Sequence, residues 1–402
     1  MWILTAPALA NGLTAHQWVT VEAVERLPDG PLRDLVTEQH APLLTGNCFP
    51  DGGYAVGHAY GEAAHWEPFQ TAYLRWIRDT YGDDFAGAGA EHVAFLMGLA
   101  SHGMSDTTYD GTFYVEAQAN DPAESFAAES WDEATDMVVA SERGPGETPD
   151  PWIPAEPIVA ILGEQGIAVD AATLEDGTQL AQAAIDFVGI VAQDEETVDE
   201  YRAEFPWATA HVLDEDRVCT PECGAGLVAL YWQALWERLE GDDGWRVLAT
   251  LPADGAMGVA TEGFDARLHV VMSRGLATGS VTAASVTVAD ADGNDSPVEI
   301  DLYYGETSHL INVIPTHGWA ADTDYFVTVH PGIDSWDGEA ELGEPHNFEF
   351  STREPPEPPG EDDASPSETD EDPRGCGGGG AWLLIGPALL KRRDRALTTP
   401  AP

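Results

Sequence analysis

Lysine is nearly absent from this sequence, which has one, Lys391, among 17 basic residues set against 71 acidic ones. A formal net charge of −54 repels phosphate backbones and anionic lipid headgroups unless salt or divalent ions screen it. The composition therefore disfavours nucleic-acid binding, and we expect partners that are neutral, zwitterionic or cationic. Such acidity is typical of an exported protein from a salty habitat, where a Debye length of about 3 Å at 1 M weakens self-repulsion. A GC-rich codon bias would explain the missing lysine but not the excess of carboxylates.

Cysteine is also scarce, with four in the chain. Cys219 and Cys223 lie close enough in sequence to close a short loop through a disulfide, which export would permit. Cys376 belongs to the C-terminal tail, so Cys48 is left over. We expect Cys48 to be a buried free thiol.

Long hydrophobic runs are missing as well, because the apolar segment AWLLIGPALL spans ten residues and a membrane helix needs about 20. Within residues 375–402, this segment stands between a Gly-Cys pair at Cys376 and a basic cluster. That order resembles C-terminal sorting signals of Gram-negative bacteria, particularly the myxobacterial type. Residues 1–10, MWILTAPALA, end in an A-x-A-like cleavage site and are interpreted as the remnant of a signal peptide. The two ends predict an exported protein, either attached to the outer membrane or cell surface of a Gram-negative bacterium or extracellular.

The remainder of the chain falls into two parts with different periodicity. Over residues 11–240, apolar residues recur at spacings of three and four in runs such as EHVAFLMGLASHGMSD and GLVALYWQALWERL, which predicts an all-α domain. Over residues 262–352 the period is two, in runs such as RLHVVMS and DYFVTVHPG, which predicts an all-β sandwich. Residues 353–374 are acidic and rich in proline, so we expect a solvated linker there.

The β-rich part resembles bacterial Ig-like modules. The resemblance lies in a strand cadence carried by Asp324, Tyr325, Phe326, Val327, Val329, Phe348, Phe350 and Thr352. The expected architecture is therefore a multidomain chain, with an all-α domain followed by an Ig-like β-sandwich.

The candidate functional residues lie in the helical part. In GLASHGMSDTTYD, His102 and Asp106 lie four residues apart and share one helix face. A pair at this spacing could also be a hydrogen-bonded polar patch at a helix end. Further imidazoles and carboxylates recur along the helical domain, and zinc accepts both as ligands. They are His16 in TAHQW, Asp51 in FPDGGY, which we expect to form a Gly-rich turn, His58 and His65 in GHAYGEAAHW, Asp110, and the pair Asp132 and Asp136.

The order of these motifs resembles the zinc-dependent phospholipase C family and, more closely, the N-terminal domain of the phosphatidylinositol-glycan-specific phospholipases D. The stretches that carry the resemblance are NGLTAHQW, FPDGGY, AAHWEPF and VAFLMGLASHGMSD. It implies a first zinc site at Asp51, His65, His102 and Asp106. It also implies a second site that combines His16 and Asp106 with the mature N-terminal residue.

The chain departs from the family in the region of a third site. Asp110 or Thr112 stands where the family usually has a histidine, and Asp132 and Asp136 replace a His-x-x-x-Glu pair. An aspartate pair at this spacing also resembles the phospholipase D branch. We therefore expect one zinc site, with up to three if the divergent positions bind metal. His58 and Asp110 are candidates for a ligand or for a hydrogen-bond partner of one.

The resemblance implies an exported, zinc-dependent phosphodiesterase that hydrolyses the headgroup phosphodiester of a phospholipid or a glycosylphosphatidylinositol-like lipid through metal-activated water. Asp51 is the candidate catalytic residue, as ligand or general base. One alternative is a non-catalytic, surface-attached binding protein whose metal domain is degenerate. Another is a single-strand nuclease of the related zinc group, which the acidic surface disfavours. The side of the phosphate that is cut stays open.

Overall fold

The computed structural model describes most of both predicted domains. The described residues are 12–121, 130–215, 217–218, 220–242, 244–303 and 308–353. The predicted signal-peptide remnant, the acidic linker and the sorting signal with Cys376 lie outside them. Cys219 also lies outside, so the predicted disulfide between Cys219 and Cys223 stays a prediction.

The helical part contains thirteen α-helices within the described residues. Their bounds are α1 (Leu13–Arg26), α2 (Pro31–Glu38), α3 (His40–Ala55), α4 (Tyr60–His65), α5 (Glu67–Tyr81), α6 (Ala90–Tyr109), α7 (Val115–Asn120), α8 (Ser130–Arg143), α9 (Ala155–Glu164), α10 (Ala171–Val191), α11 (Glu195–Glu204), α12 (Pro206–His211) and α13 (Pro221–Glu240).

Helix α6 runs through the centre of the helical domain. Every residue from Val93 to Tyr109 is buried, which is the environment expected for a helix that is apolar on all sides. It packs against α1, α3, α5 and α13. A single π-helical turn, Asp110–Tyr114, continues directly from its C-terminus. Cys48 of α3 is a buried thiol, as predicted. None of the described helices is long and apolar enough to cross a bilayer.

The second part is a sandwich of two sheets. The strands are β1 (Val247–Leu251), β2 (Ala256–Val259), β3 (Leu268–Met272), β4 (Val286–Asp290), β5 (Asp295–Ser296), β6 (Val298–Leu302), β7 (Leu310–Pro315), β8 (Asp324–Val329) and β9 (His346–Thr352). One sheet has the order β1-β3-β7-β6 and the other β2-β9-β8-β4-β5. All pairings are antiparallel except that of β2 with β9.

The predicted fold class, an all-α domain followed by an all-β sandwich, is confirmed. The sandwich differs from the prediction at its start, because β1 and β2 precede residue 262. Strand β2 is four residues long, and its two middle residues, Met257 and Gly258, are exposed. A strand so short, with no alternation of apolar and polar residues, has no period-two signal that could reveal it.

Candidate metal centre

Four of the predicted ligands come together inside the helical domain. Asp51 lies in α3, His65 ends α4, and His102 and Asp106 lie one turn apart in α6. Their exposed fractions are only 1% to 4%. We call these four residues the four-ligand cluster. Buried ionisable groups are rare in proteins unless they are paired or bind a metal.

Asp51 occupies a helix rather than the Gly-rich turn predicted from FPDGGY. Helix α3 continues through Pro50 and through the glycines that follow Asp51. These glycines serve close packing: a Cβ on Gly52 would lie 2.7 Å from the carbonyl carbon of Gly177, and a Cβ on Gly53 would lie 2.3 Å from Cα of Gly61. The helix therefore holds the Asp51 carboxylate more rigidly than a turn would.

Glycines in α6 bring the other elements close. A Cβ on Gly98 would lie 2.1 Å from the carbonyl oxygen of Leu43 in α3. A Cβ on Gly103 would lie 2.2 Å from the carbonyl oxygen of His65. Both glycines flank His102 in the sequence, so the segments that carry Asp51 and His65 can approach α6 where its own ligands lie.

The carboxylate-to-imidazole distances within the four-ligand cluster are close to those between ligands of one ion. Asp51 Oδ1 lies 3.6 Å from Nε2 of His65 and 3.8 Å from Nε2 of His102. Asp106 Oδ2 lies 3.7 Å from Nε2 of His65 and 3.4 Å from Nε2 of His102. A tetrahedral zinc with bonds of 2.0 to 2.2 Å separates its ligands by about 3.3 to 3.6 Å. The residues present therefore fit a zinc ion.

The hydrogen bonds of the two histidines also suit a metal. Nδ1 of His65 donates to the carbonyl oxygen of Gly61 at 2.6 Å, which leaves Nε2 facing the carboxylates. Such a bond fixes the tautomer and ring orientation of a metal-ligating histidine. Nε2 of His102 and Oδ2 of Asp51 are buried and have no hydrogen-bond partner among the described residues. Buried polar atoms without a hydrogen-bond partner carry a desolvation cost, and a bound ion would offset that cost.

The protonation preferences of the cluster follow from burial and from mutual contact. Burial, with His16 and His65 nearby, lowers the pKa of His102 well below its usual value, so the ring is neutral and can coordinate. Burial would lower the pKa of His65, but the hydrogen bond to Asp51 and the charge of Asp106 raise it overall. Burial raises the pKa of Asp106 well above its usual value. A divalent cation would favour the ionised form of Asp106.

His16 extends the cluster from α1. Its Nε2 lies 3.0 Å from Oδ1 of Asp106, and its ring stacks on His102 with the ring centres 3.8 Å apart. The ligand atoms of His16, His102 and Asp106 lie within 4.8 Å of one another. Oδ2 of Asp106 thus faces His65 and His102, and Oδ1 faces His16. This geometry could support a second ion.

The remaining predicted carboxylates are buried nearby but are engaged differently. Oδ1 of Asp136 accepts a hydrogen bond from the backbone N–H of Ala15 at 2.7 Å, so it stabilises the N-terminus of α1. Burial raises the pKa of Asp136 to about 7, against the effect of this bond. Oδ1 of Asp132 is buried and has no hydrogen-bond partner among the described residues. Oδ2 of Asp110 accepts from the hydroxyl of Tyr303 at 2.8 Å.

No compact group of three ligand atoms forms around these carboxylates. Within the described part of the chain, none that fits inside 4.8 Å includes Asp110, Asp132 or Asp136. Two compact groups are found among the described residues, one of His16, His102 and Asp106 and the other of Asp51, His65 and His102, and His58 belongs to neither. Nδ1 of His58 accepts from the backbone N–H of Tyr60 at 3.2 Å, at the start of α4. The third zinc site stays a prediction.

Several polar residues near the site had no sequence signal. Thr20 of α1 shares a hydrogen bond of 2.7 Å with Ser101 of α6, and Asn47 of α3 donates to Thr20 at 2.8 Å. These buried bonds tie together the three helices that carry His16, Asp51 and the α6 ligands. Threonine, serine and asparagine at scattered positions form no motif, so only the fold reveals the network.

Comparison with known proteins found similarities over parts of the chain. The family model for the bacterial Ig-like domain matches residues 242–352, which include β1 and β2. Phosphatidylinositol-glycan-specific phospholipase D of Mus musculus is 32% identical over 108 residues, covering 24% of this chain and 13% of that protein. The protein of the same name from Dictyostelium discoideum is 32% identical over 121 residues, covering 27% and 13%.

The sequence similarity confirms, over part of the chain, the resemblance to phosphatidylinositol-glycan-specific phospholipases D and to bacterial Ig-like modules. The resemblances to the zinc-dependent phospholipase C family and to C-terminal sorting signals stay predictions. The alignments cover 13% of the length of these curated relatives, so most of each relative has no counterpart here. Among solved structures, the S-layer protein rSbsC(31-844) has a TM-score of 0.23 at 11% identity over 76% of this chain and 46% of that one. The α-toxin of Clostridium perfringens has a TM-score of 0.26 at 10% identity over 85% and 99%. At these scores neither likeness bears on function.

Proposed function

We propose that this chain is a zinc-dependent phosphodiesterase that hydrolyses the headgroup phosphodiester of a phospholipid or a glycosylphosphatidylinositol-like lipid. The observation that carries the proposal is the four-ligand cluster, in which each carboxylate lies 3.4 to 3.8 Å from both imidazoles. The ligand atoms of Asp51, His65 and His102 lie within 4.8 Å of one another. The similarity to phosphatidylinositol-glycan-specific phospholipases D supports the substrate class.

Each residue of the four-ligand cluster has a separate role in this proposal. His65, His102 and Asp106 would hold the ion, and the hydrogen bond from His65 to Gly61 keeps that ring in place. When bound, zinc lowers the pKa of a coordinated water toward about 7 and stabilises charge on a phosphate. Asp51 points Oδ1 into the cluster and leaves Oδ2 without a hydrogen-bond partner in the described structure. Oδ2 is the atom that accepts the proton of the attacking water.

The net charge of the protein favours some lipid headgroups over others. A net charge of −54 repels anionic lipid surfaces, whereas choline and ethanolamine headgroups are zwitterionic and carry a cationic end. We infer that zwitterionic lipids are preferred. We also infer export to the cell surface or the medium, because the predicted signal-peptide remnant and sorting signal flank the two domains.

The test uses the full chain, purified with its metal. Zinc is counted by mass spectrometry, and hydrolysis is followed on phosphatidylcholine vesicles, on a glycosylphosphatidylinositol-linked substrate and on single-stranded DNA. We expect zinc, lipid hydrolysis that a chelator abolishes, and little action on DNA. Product analysis distinguishes phosphate-bearing headgroup from free headgroup. Zinc without turnover on any lipid would favour a non-catalytic binding protein, and chelator-resistant turnover would overturn the metal mechanism.

A further inference from the structure

The Ig-like sandwich reaches the chain segment that follows the metal-bearing helix. Tyr303, immediately after β6, donates its hydroxyl hydrogen to Oδ2 of Asp110 at 2.8 Å. Asn312 of β7 donates from Nδ2 to the carbonyl oxygen of Gly111 at 3.2 Å. Asp110 lies one turn beyond Asp106, at the start of the π-helical turn, and is only 7% exposed. The second domain thus contacts the backbone and a carboxylate next to the candidate metal centre.

The sandwich packs closely against the π-helical turn at Gly111. A Cβ on Gly111 would lie 2.7 Å from Cδ2 of Leu310 and 3.0 Å from Cβ of Tyr303. Real Cβ atoms essentially never come as near as the first of these distances. A larger residue at this position would require the Leu310 side chain to move.

A second contact anchors the sandwich beside His65. Glu67 lies two residues after His65 and is 2% exposed. It accepts from Nη1 of Arg238 at 3.0 Å and from the backbone N–H of Gly275, and Nε2 of His309 lies 3.3 Å away. Gly275 and His309 belong to the sandwich. The Ig-like module therefore contacts the helical domain next to two of the candidate metal ligands, His65 and Asp106.

We infer that Tyr303 is a positioning residue of the metal centre, acting through Asp110. This inference rests on the proposed function, because it takes the four-ligand cluster to be a zinc site. The Tyr303 hydroxyl satisfies one oxygen of a buried carboxylate and so holds Asp110, with the last turn of α6, in one orientation. Removing a hydrogen-bond partner of a metal ligand changes metal affinity by about 10- to 100-fold. Asp110 lies one turn beyond the ligand Asp106, so the effect passed on through it should be smaller. The Ig-like module is then part of the centre and not only an appended binding domain.

The test measures zinc affinity in the full chain by competition with a chromophoric chelator. Tyr303→Phe removes the hydroxyl and keeps the ring, and we expect a several-fold loss of zinc affinity, up to about 10-fold. Tyr325→Phe is the matched control, because the Tyr325 hydroxyl accepts from the backbone N–H of Ala320 inside the same module. The control should lose no zinc affinity. Thermal unfolding of both variants reports whether either loses the fold.

A double-mutant cycle tests the route through Asp110. If Tyr303 acts through this carboxylate, Tyr303→Phe should change zinc affinity much less in an Asp110→Ala background, where no side-chain oxygen accepts the hydroxyl, than in the wild type. Equal losses in both backgrounds would overturn the route, and no loss in Tyr303→Phe would overturn the inference while leaving the proposed function standing. Zinc bound without lipid turnover would overturn the proposed function, and the affinities would still decide the role of Tyr303. A wild-type chain without zinc would overturn both.

Discussion

Nε2 of His102 lies 3.4 Å from Oδ2 of Asp106, one helical turn along α6, and both atoms face Asp51 and His65 from other helices. This relationship favours a metal centre over a polar patch. A patch at a helix end would be satisfied by neighbours or by solvent. Here the two side chains are 1% and 2% exposed, and Nε2 of His102 has no hydrogen-bond partner in the described residues.

His102→Ala should remove about one zinc per chain and abolish lipid hydrolysis, because a structural or catalytic zinc site depends on each of its three or four ligands. Zinc counting by mass spectrometry measures the first effect. His40→Ala is the control, since the His40 side chain is 40% exposed and pairs with Glu147 on the surface. Unchanged zinc in His102→Ala would show that the pair is only a polar patch.

Gly98→Ala should weaken both the fold and the zinc site. The added methyl would meet the Leu43 carbonyl oxygen at 2.1 Å, so α3 and α6 must separate. Overpacking of this kind costs about 1 to 3 kcal/mol of unfolding free energy. Gly163→Ala in α9 is the matched control, because nothing lies within 4 Å of its Cβ position. That variant should gain about 0.5 to 1 kcal/mol. Similar denaturation curves for the two variants would contradict the close-packing role of Gly98.

Glu67→Ala should destabilise the chain by about 3 to 5 kcal/mol, because it leaves the buried guanidinium of Arg238 without its partner. Glu142→Ala offers a surface comparison: Glu142 pairs with Arg202 while 52% exposed, and such pairs contribute about 1 kcal/mol or less. Urea unfolding measures both losses. A loss below about 1 kcal/mol in Glu67→Ala would mean that the two domains do not depend on this ion cluster.

Stability should fall as pH falls from about 6.5 to about 4, in part through His269. Burial lowers the pKa of His269 to about 4, although its hydrogen bond to Oδ1 of Asn312 opposes the shift. The unfolded chain, with a histidine pKa near 6.5, binds more protons in this window, so acid favours unfolding. His269→Gln keeps a donor and removes the titration, which should flatten the pH dependence by at most about 3 kcal/mol.

The comparison is made by urea unfolding with chelator present, so that metal loss does not contribute. Wild type and His269→Gln are followed from about pH 7 to about pH 4.5. Parallel stability curves would contradict a titrating role for His269.

Lipid hydrolysis should depend on the surface charge of the vesicle. At low salt we expect turnover to fall several-fold when anionic lipid is added to phosphatidylcholine vesicles, because the chain carries a net charge of −54. About 1 M salt shortens the Debye length to about 3 Å and should restore most of the rate. A rate that is indifferent to both changes would argue against electrostatic selection of the substrate.

Much of the helical site could be predicted because its information is local. The four-residue spacing of His102 and Asp106 places both on one helix face whatever the rest of the fold does. The change of period from three and four to two separated the helical domain from the sandwich. The prediction of a turn at FPDGGY was wrong for a local reason. A glycine pair after Pro-Asp is typical of a turn, but here the two glycines allow close packing against Gly61 and Gly177, and Asp51 lies in a helix.

The sequence by itself determined the two fold classes, their order and the ligand types brought together around α6. Only the tertiary structure decided which oxygen of Asp106 faces which histidine, that Asp136 holds the start of α1, and that Tyr303 of the sandwich contacts Asp110. The physical reason is that periodicity reports which face of an element is buried, and it does not report what that face meets. A hydrogen bond between domains depends on how two packed units fit together, and no spacing within either segment encodes that fit.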